Sequence, residues 1–402
     1  MPKRSTKMMN GQAGSSPSVN KQPPRWLIIG NPENRRVGLF QQALHALGQL
    51  PAEVLAYREL LQNRSLLPVV LAQASQHRSI VRIESPGEHS LVEKLLIQRG
   101  QSQVGSTSDP TVKVLRIRDD PGRVRYPRLW FDGFSSLLKE IAAALNHQPG
   151  VRVQSHPTAI QTLFDKRACH RLLQSAGVSV PRVLPPVRSY DELREAMQAQ
   201  GMKRVFVKLA SGSASSGVVA LSTVNARPLA ITSLELARRR GEARFYNNLK
   251  LSRYTRDQDL RVICDFLCRE GAHVEEWLPK AQQAGRSFDL RVVTIGGKAG
   301  HTVVRTSRSP ITNLHLGNRR GDWSSLKRAM GRHWKIVPET CERAAQAFPQ
   351  MLTVGWDLLV APGFRRAYVL EGNAFGDLLP NVLFKGEPTY AATIRAAGQL
   401  LK

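Results

Sequence analysis

Apolar and polar positions change period along the chain, and the changes mark its elements. Arg25-Trp26-Leu27-Ile28-Ile29-Gly30 is a short apolar run that predicts a buried strand. A turn at Asn31 to Asn34 follows, and Leu39, Phe40, Ala43, Leu44 and Leu47 then recur at helical spacing. Val54 to Tyr57 supplies a second strand, so the chain opens as a β-α-β unit. The loop after the first strand has no glycine fingerprint, which argues against a dinucleotide site there. Residues 58 to 150 carry fewer signals: a helix at Leu91 to Ile97, a strand at Val112 to Ile117, and an apolar-periodic helix from Phe134 to Leu145 that ends before Pro149-Gly150.

A new segment begins near Val151. Pro157 suits the first helical position, and Ile160, Leu163, Phe164, Ala168, Leu172 and Leu173 predict one helix that Gly177 terminates, with Asp165 and Lys166 in its middle. After Val178 to Pro181 comes a helix at Tyr190 to Gln200. Arg204 to Leu209 then reads as a strand, running into Ala210-Ser211-Gly212-Ser213-Ala214-Ser215-Ser216-Gly217 and out again through Val218 to Leu221. His273 to Leu278 reads as a strand leaving into a loop. Phe288 to Val293 places Asp289 and Arg291 on one face, Gly296-Gly297-Lys298 turns the chain, and Ala299 to Arg305 runs back.

Near the end, Val354, Trp356 and Leu358 alternate, Pro362-Gly363 marks a turn, and Ala367 to Leu370 resumes the strand pattern. A hairpin centred near Phe364 sets Asp357 opposite Glu371. Side chains two apart share a strand face, so Asn373 joins Glu371 and Asp357. Two carboxylates and an amide oxygen suit magnesium, which takes one or two carboxylates and completes its shell with water and phosphate. The competing reading is a solvated hairpin end.

Composition narrows the partners without naming one. The chain has 402 residues, 42% of them hydrophobic, enough for two or three domains. No run approaches the roughly 18 apolar residues of a membrane span, and residues 1 to 25 lack the apolar core of a signal peptide, so a cytoplasmic location is expected. The cysteines, Cys169, Cys264, Cys268 and Cys341, are scattered and lack the second pair of a zinc site. Lys and Arg number 58 against 31 Asp and Glu, a formal charge of +27, which falls only to +22 without the polar tail of the first 25 residues. Such a balance favours contact with nucleic acid, an anionic membrane or a polyanionic substrate. Residues 238 to 261 concentrate arginine, and their plain reading is a solvated face.

Lys208 at a strand end, with the small residues after it, can hold phosphate: backbone N–H groups approach closely while the lysine supplies a point charge. The lysine precedes its loop and a strand follows, so this is no Walker loop. A merely serine-rich hairpin is the alternative.

The order of these pieces resembles the ATP-grasp superfamily. Asp165-Lys166, then Lys208 with its Ser/Gly flap, then Glu275-Glu276-Trp277-Leu278, then Asp289-x-Arg291, then Asp357 and Glu371-x-Asn373 cover roughly residues 151 to 385. With Asn313-Leu314-His315-x-Gly317 the pattern is closest to the glutathione-synthetase-like, ribosomal-protein glutamate ligase type. The resemblance implies an α/β chain: a basic tail over 1 to 24, a Rossmann-like domain over 25 to 150, and two α+β subdomains, 151 to 275 and 276 to 402, that clasp ATP. It implies that Lys166 and Lys208 contact ATP phosphates under a flap of Ser211, Gly212, Ser213 and on to Gly217. Glu275, Glu276, Trp277 and Leu278 would form the adenine hinge, and Asp289 would meet the ribose. Asp357, Glu371 and Asn373 would bind magnesium, two ions being expected.

The activity implied is ATP-dependent joining of a small-molecule or peptide carboxylate to an amine through an acyl phosphate, with Arg291, Arg305 and Arg308 on the transferring group. Phosphorylation of a hydroxyl, or nucleic-acid binding on an inactive scaffold, are the alternatives. Two departures stand out. Gly355 occupies a position where many relatives carry arginine, and Ala374 to Pro380 replaces their Ser-Pro-Gly, leaving Asp377 either to meet a different acceptor or to cap a turn.

Overall fold

A computed structural model describes residues 23–104, 118–212, 217–224, 228–312, 318–375 and 379–401. The expected strand at Val112 to Ile117, and Ser213, Asn313, His315, Gly317 and Asp377, lie outside these residues.

The first sheet is wholly parallel, in the order β2-β1-β3-β4, from β1 (Arg25–Gly30), β2 (Glu53–Ala56), β3 (Ser79–Ile83) and β4 (Val151–Val153). Parallel neighbours need crossovers, and helices supply them. α1 (Arg35–Ala46) joins β1 to β2, α2 (Tyr57–Gln62) and α3 (Leu66–Ser75) join β2 to β3, and α4 (Ser90–Val104) and α5 (Pro127–Asn146) lie between β3 and β4. The sequence hides β3 because Arg82 interrupts its apolar run. That arginine is nonetheless buried, paired with Glu84, bonded to Gln154 at 2.9 Å and stacked 4.6 Å from the Phe40 ring. α4 and α5 touch backbone to backbone: a Cβ on Gly133 would stand 1.9 Å from the Leu96 carbonyl oxygen, and one on Gly100 equally close to that of Leu129. Only glycine permits this approach.

The helix expected through Asp165 is two helices. α6 (Pro157–Phe164) stops there, and α7 (Lys166–Ser175) starts there. Asp165 Oδ1 accepts from the Arg167 backbone N–H at 2.9 Å, capping α7. The apolar period continues on both sides, so the break is set by the cap. Lys166 thereby becomes the first residue of a helix.

The second sheet, antiparallel and ordered β8-β7-β6-β5-β9, uses β5 (Arg204–Leu209), β6 (Val218–Ser222), β7 (Leu229–Arg239), β8 (Glu242–Tyr254) and β9 (Ala272–Glu276). α8 (Tyr190–Ala199) and α9 (Asp257–Arg269) cover its apolar face, where Val205, Val207, Val274, Leu193 and Leu260 form one cluster. The basic stretch at 238 to 261 is the tip of the β7–β8 hairpin, β8 and the start of α9. Arg238 there is exposed and pairs with Asp259 at 2.9 Å.

The third sheet runs β13-β12-β11-β14-β15, with β10 on β11. Its strands are β10 (Gln282–Gln283), β11 (Arg286–Ile295), β12 (Lys298–Ser307), β13 (Arg319–Arg320), β14 (Thr353–Val360) and β15 (Ala367–Asn373). A short ribbon, β16 (Leu383–Phe384) and β17 (Glu387–Pro388), precedes α12. α10 (Trp323–Met330) and α11 (Ile336–Gln346) pack behind the sheet, and α12 (Thr389–Ala397) returns to the first sheet, where Tyr390 and Ile394 meet Trp26 and Phe40. One core runs from Leu137 and Phe134 of α5 through Ile160 and Leu163 to Trp356 and Phe288. The first and third sheets are therefore bound by continuous apolar packing, and the second stands against them across a cleft.

Candidate nucleotide site

Strand pairing builds the acidic end of the cleft. In the β14–β15 hairpin Asp357 is the register partner of Glu371, and Gly355 of Asn373. The register slips by one between Asp357 and Leu358, so Leu370 is an extra residue, a bulge. A regular pleat would send Leu370 and Glu371 to opposite faces. Here both line the same cleft. Asn373 Nδ2 donates to the Gly355 carbonyl at 3.1 Å, which fixes the amide orientation and leaves Oδ1 as a free acceptor.

β11 stands between β12 and β14, with Asp289 opposite Arg305 and Arg291 opposite Asp357. These four side chains interlock. Arg305 Nε bonds Asp289 at 2.7 Å and its Nη2 meets Asp357 at 3.0 Å, while Arg291 pairs with the other Asp357 oxygen. Burial alone would raise the Asp357 pKa, but Arg291 and Arg305 outweigh it and hold the carboxyl well below the usual range. By the same balance the two aspartates raise Arg305 further above its ordinary value. Lys280, in the loop after β9, adds to the lattice: Nζ reaches Asp289 at 3.2 Å, Thr312 Oγ1 at 2.7 Å and the Pro310 carbonyl at 3.3 Å. Its pKa is lowered by burial, which the Asp289 charge only partly offsets.

The opposite wall is the β5–β9 pair. Lys208 is buried and ion-paired with Glu275. Burial would lift the Glu275 pKa, yet Lys208 and His273 bring it down to about 2. Burial likewise opposes the charge on Lys208, but Glu275 and Glu371 prevail and raise its pKa. Lys166 closes the floor, its Nζ 2.5 Å from the Gly212 carbonyl and 3.4 Å from Glu371. The space between these walls is about 870 Å³.

The fold matches known proteins where the sequence alone does not. No protein-family model matches the chain, and neither does any curated protein. Among solved structures, the ATP-grasp ligase PsnB complexed with a minimal precursor aligns over 93% of this chain and 99% of its own, with a TM-score of 0.51 and 16% identity. The chain has the ATP-grasp fold. PsnB complexed with a phosphomimetic precursor variant, Mg and ADP gives 0.51 at 15% identity over 95% and 100% of the two chains. D-cycloserine synthetase DcsG gives 0.53 at 13% identity over 94% and 99%.

In this ATP-grasp frame, Lys166, Lys208, Gly212, Glu275, Glu276, Leu278, Asp289, Arg291, Arg305, Asp357, Glu371 and Asn373 all line the one cleft. Others do not. Arg308 is exposed one residue beyond the end of β12, between Ser307 and Ser309, whose hydroxyls meet at 3.0 Å. Trp277 packs outside, its ring 5.5 Å from Phe206 and beneath the Arg204 guanidinium. Ser211 and Gly217 form the base of the flap. Gly217 has φ +67°, and a Cβ there would strike Leu209 at 2.7 Å, so glycine is required to close the β5–β6 hairpin. Asp289, expected on a ribose, has both oxygens engaged by Arg305, Lys280 and Thr312 and is 2% exposed. Sequence reasoning overlooked Lys280, Thr312, Phe206 and His273. Only Lys280 carried a visible signal, a lysine two residues after Leu278 at the end of the hinge.

The donor set fits magnesium, since each Asp357 oxygen has a single arginine partner and keeps a second lone pair. Among the described residues no group of three His, Cys, Asp or Glu could hold a metal, but Mg²⁺ needs only one or two carboxylates when phosphate and water complete its shell. Asp357, Glu371 and the free Asn373 Oδ1 are hard oxygen donors on neighbouring strands. No helix among the described residues is long and apolar enough to cross a membrane.

Proposed function

We propose that this protein is an ATP- and magnesium-dependent ligase that joins a carboxylate to an amine through an acyl phosphate. The observation that carries the reading is the meeting, in one cleft, of Lys166, Lys208, Arg291 and Arg305 with Asp357, Glu371 and Asn373. The ionisable residues lining it are five cations and five carboxylates, so the empty cleft is balanced. What enters should be near balance too, as a triphosphate with two magnesium ions is.

A substrate carboxylate oxygen attacks the γ-phosphorus, the bond to the β–γ bridging oxygen breaks, and ADP leaves. The amine nitrogen then attacks the acyl carbon, inorganic phosphate departs, and the nitrogen loses a proton to give the amide. Magnesium held by Asp357, Glu371 and Asn373 would neutralise charge on the β- and γ-oxygens. Lys208 and Lys166 supply point charges to the phosphates from two sides. Arg305, pinned between Asp289 and Asp357, presents a fixed guanidinium to the transferring group, and catalysis then rests on positioning and electrostatics. In this scheme Asp289 orients Arg305 and Lys280, and Leu278 with Phe206 offers the apolar bed for the base. The ligase identity of PsnB and DcsG supports amide formation over other chemistry.

The test is ADP release on presentation of carboxylic acids and amines, singly and paired. Release that requires both, with an amide product by mass spectrometry, is expected. A phosphoester product with no amide would replace ligation by phosphotransfer to a hydroxyl.

A further inference from the structure

Behind Lys208 lie two histidines that nucleotide binding does not itself employ. Lys208 and His273 are register partners on β5 and β9, and Phe206 and Glu275 are the next pair. All four share one sheet face, since side chains two apart on a strand point the same way. His273 is 5% exposed, and its Nε2 lies 3.3 Å from Glu275 Oε2. Oε1 of that carboxylate is taken by Lys208, whereas Oε2 accepts no well-formed hydrogen bond among the described residues. On the other side of His273 stands the His170 ring of α7, 5.5 Å away and tilted by 52°. His170 Nε2 meets the Pro181 carbonyl at 2.7 Å. A carbonyl only accepts, so that nitrogen carries the hydrogen, and the bond fixes the His170 ring beside His273.

We propose that His273 is a positioning residue for Lys208. Facing Glu275 Oε2 at 3.3 Å, the imidazole is placed to donate to that oxygen as Lys208 Nζ turns a hydrogen towards a nucleotide phosphate, so the carboxylate keeps a partner and the lysine stays ordered. A buried carboxylate with the lysine as its sole partner would bind it at full strength and keep it from the phosphate. Lysine suits this exchange, because its ammonium has three rotatable donors. The inference rests on the nucleotide reading of the cleft.

Calorimetric titration with ATP and magnesium tests it in five proteins: wild type, His273→Leu, His273→Gln, Glu275→Gln and Glu275→Gln/His273→Leu. His273→Leu should weaken ATP binding about tenfold, the scale of a lost hydrogen bond to a charged group. His273→Gln, whose amide can still donate to Glu275, should lie within about threefold of wild type. In the Glu275→Gln background His273→Leu should matter less than about twofold, because its effect runs through that carboxylate. A merely structural histidine would cost the same in both backgrounds, and that result overturns the inference, as does undiminished affinity in His273→Leu. If His273→Leu does not fold, His273→Asn, with an amide too short to reach, replaces it under the same expectations. Wild-type protein that binds no ATP would overturn the nucleotide reading, and this inference with it; loss of the coupling alone would leave that reading intact.

Discussion

The two sheets that face each other across the cleft hold their charges in different ways. On the β5–β9 wall one lysine meets one carboxylate, backed by imidazoles. On the β11–β15 wall Arg305 bridges Asp289 and Asp357, Arg291 pairs with the other Asp357 oxygen, and Lys280 is locked by three acceptors. A planar guanidinium between two carboxylates is fixed in orientation, while an ammonium on a flexible stem can exchange partners. In the proposed reaction the third sheet would thus serve as a rigid template for the reacting group and the second as an adjustable clamp on the nucleotide.

The sharpest way to break this contrast is to remove the centre of the template. Arg305→Met takes one cationic partner from each of two buried carboxylates, leaving Asp357 to Arg291 and Asp289 to Lys280, and should lower stability by about 3 kcal/mol in urea unfolding. Asp357→Asn with Glu371→Gln should cut magnesium-dependent ADP release by about 10² to 10³-fold, the scale of losing a preorganised electrostatic contact. On the clamp side the signature is pH. The Glu275 carboxyl is depressed from 4.5 to about 2 in the folded protein. Its contribution is therefore complete above pH 4.5 and lost as the pH falls through 2. Unfolding free energies followed over that window should show a drop of about 3 kcal/mol that Glu275→Gln abolishes. Trp277→Ala, outside the cleft, should cost about 0.5–1.5 kcal/mol of stability from its lost aromatic contact and alter ATP affinity little. Arg308→Ala, exposed and apart from the lattice, should change stability by no more than about 0.5 kcal/mol and turnover by less than about twofold.

What could be read in the sequence was local and periodic. Strand alternation and the Pro362-Gly363 turn placed the hairpin, and centring it near Phe364 set Asp357 opposite Glu371; the strands themselves pair Leu358 with Val369, and Glu371 reaches Asp357 only through the bulge. The bulge at Leu370 was not legible, since one extra residue leaves no mark in composition. The helix break at Asp165 had a sign, an aspartate able to cap, but the apolar period ran through it unchanged. β3 was hidden by Arg82, whose burial depends on Glu84, Gln154 and Phe40 arriving from elsewhere. His170 and His273 are 103 positions apart and meet only because α7 packs against β9. Arg308 looked equivalent to Arg305, and only the end of β12 at Ser307 separates them.

Ligation by this cleft requires the two walls to close on a magnesium nucleotide. Calorimetric titration of ATP into the wild-type protein, with and without Mg²⁺, and into the Asp357→Asn/Glu371→Gln variant is the direct measurement. One ATP per chain is predicted, with affinity that rises when magnesium is added to wild type and is indifferent to it in the variant. Binding equally strong without magnesium, or no binding at all, would contradict the account.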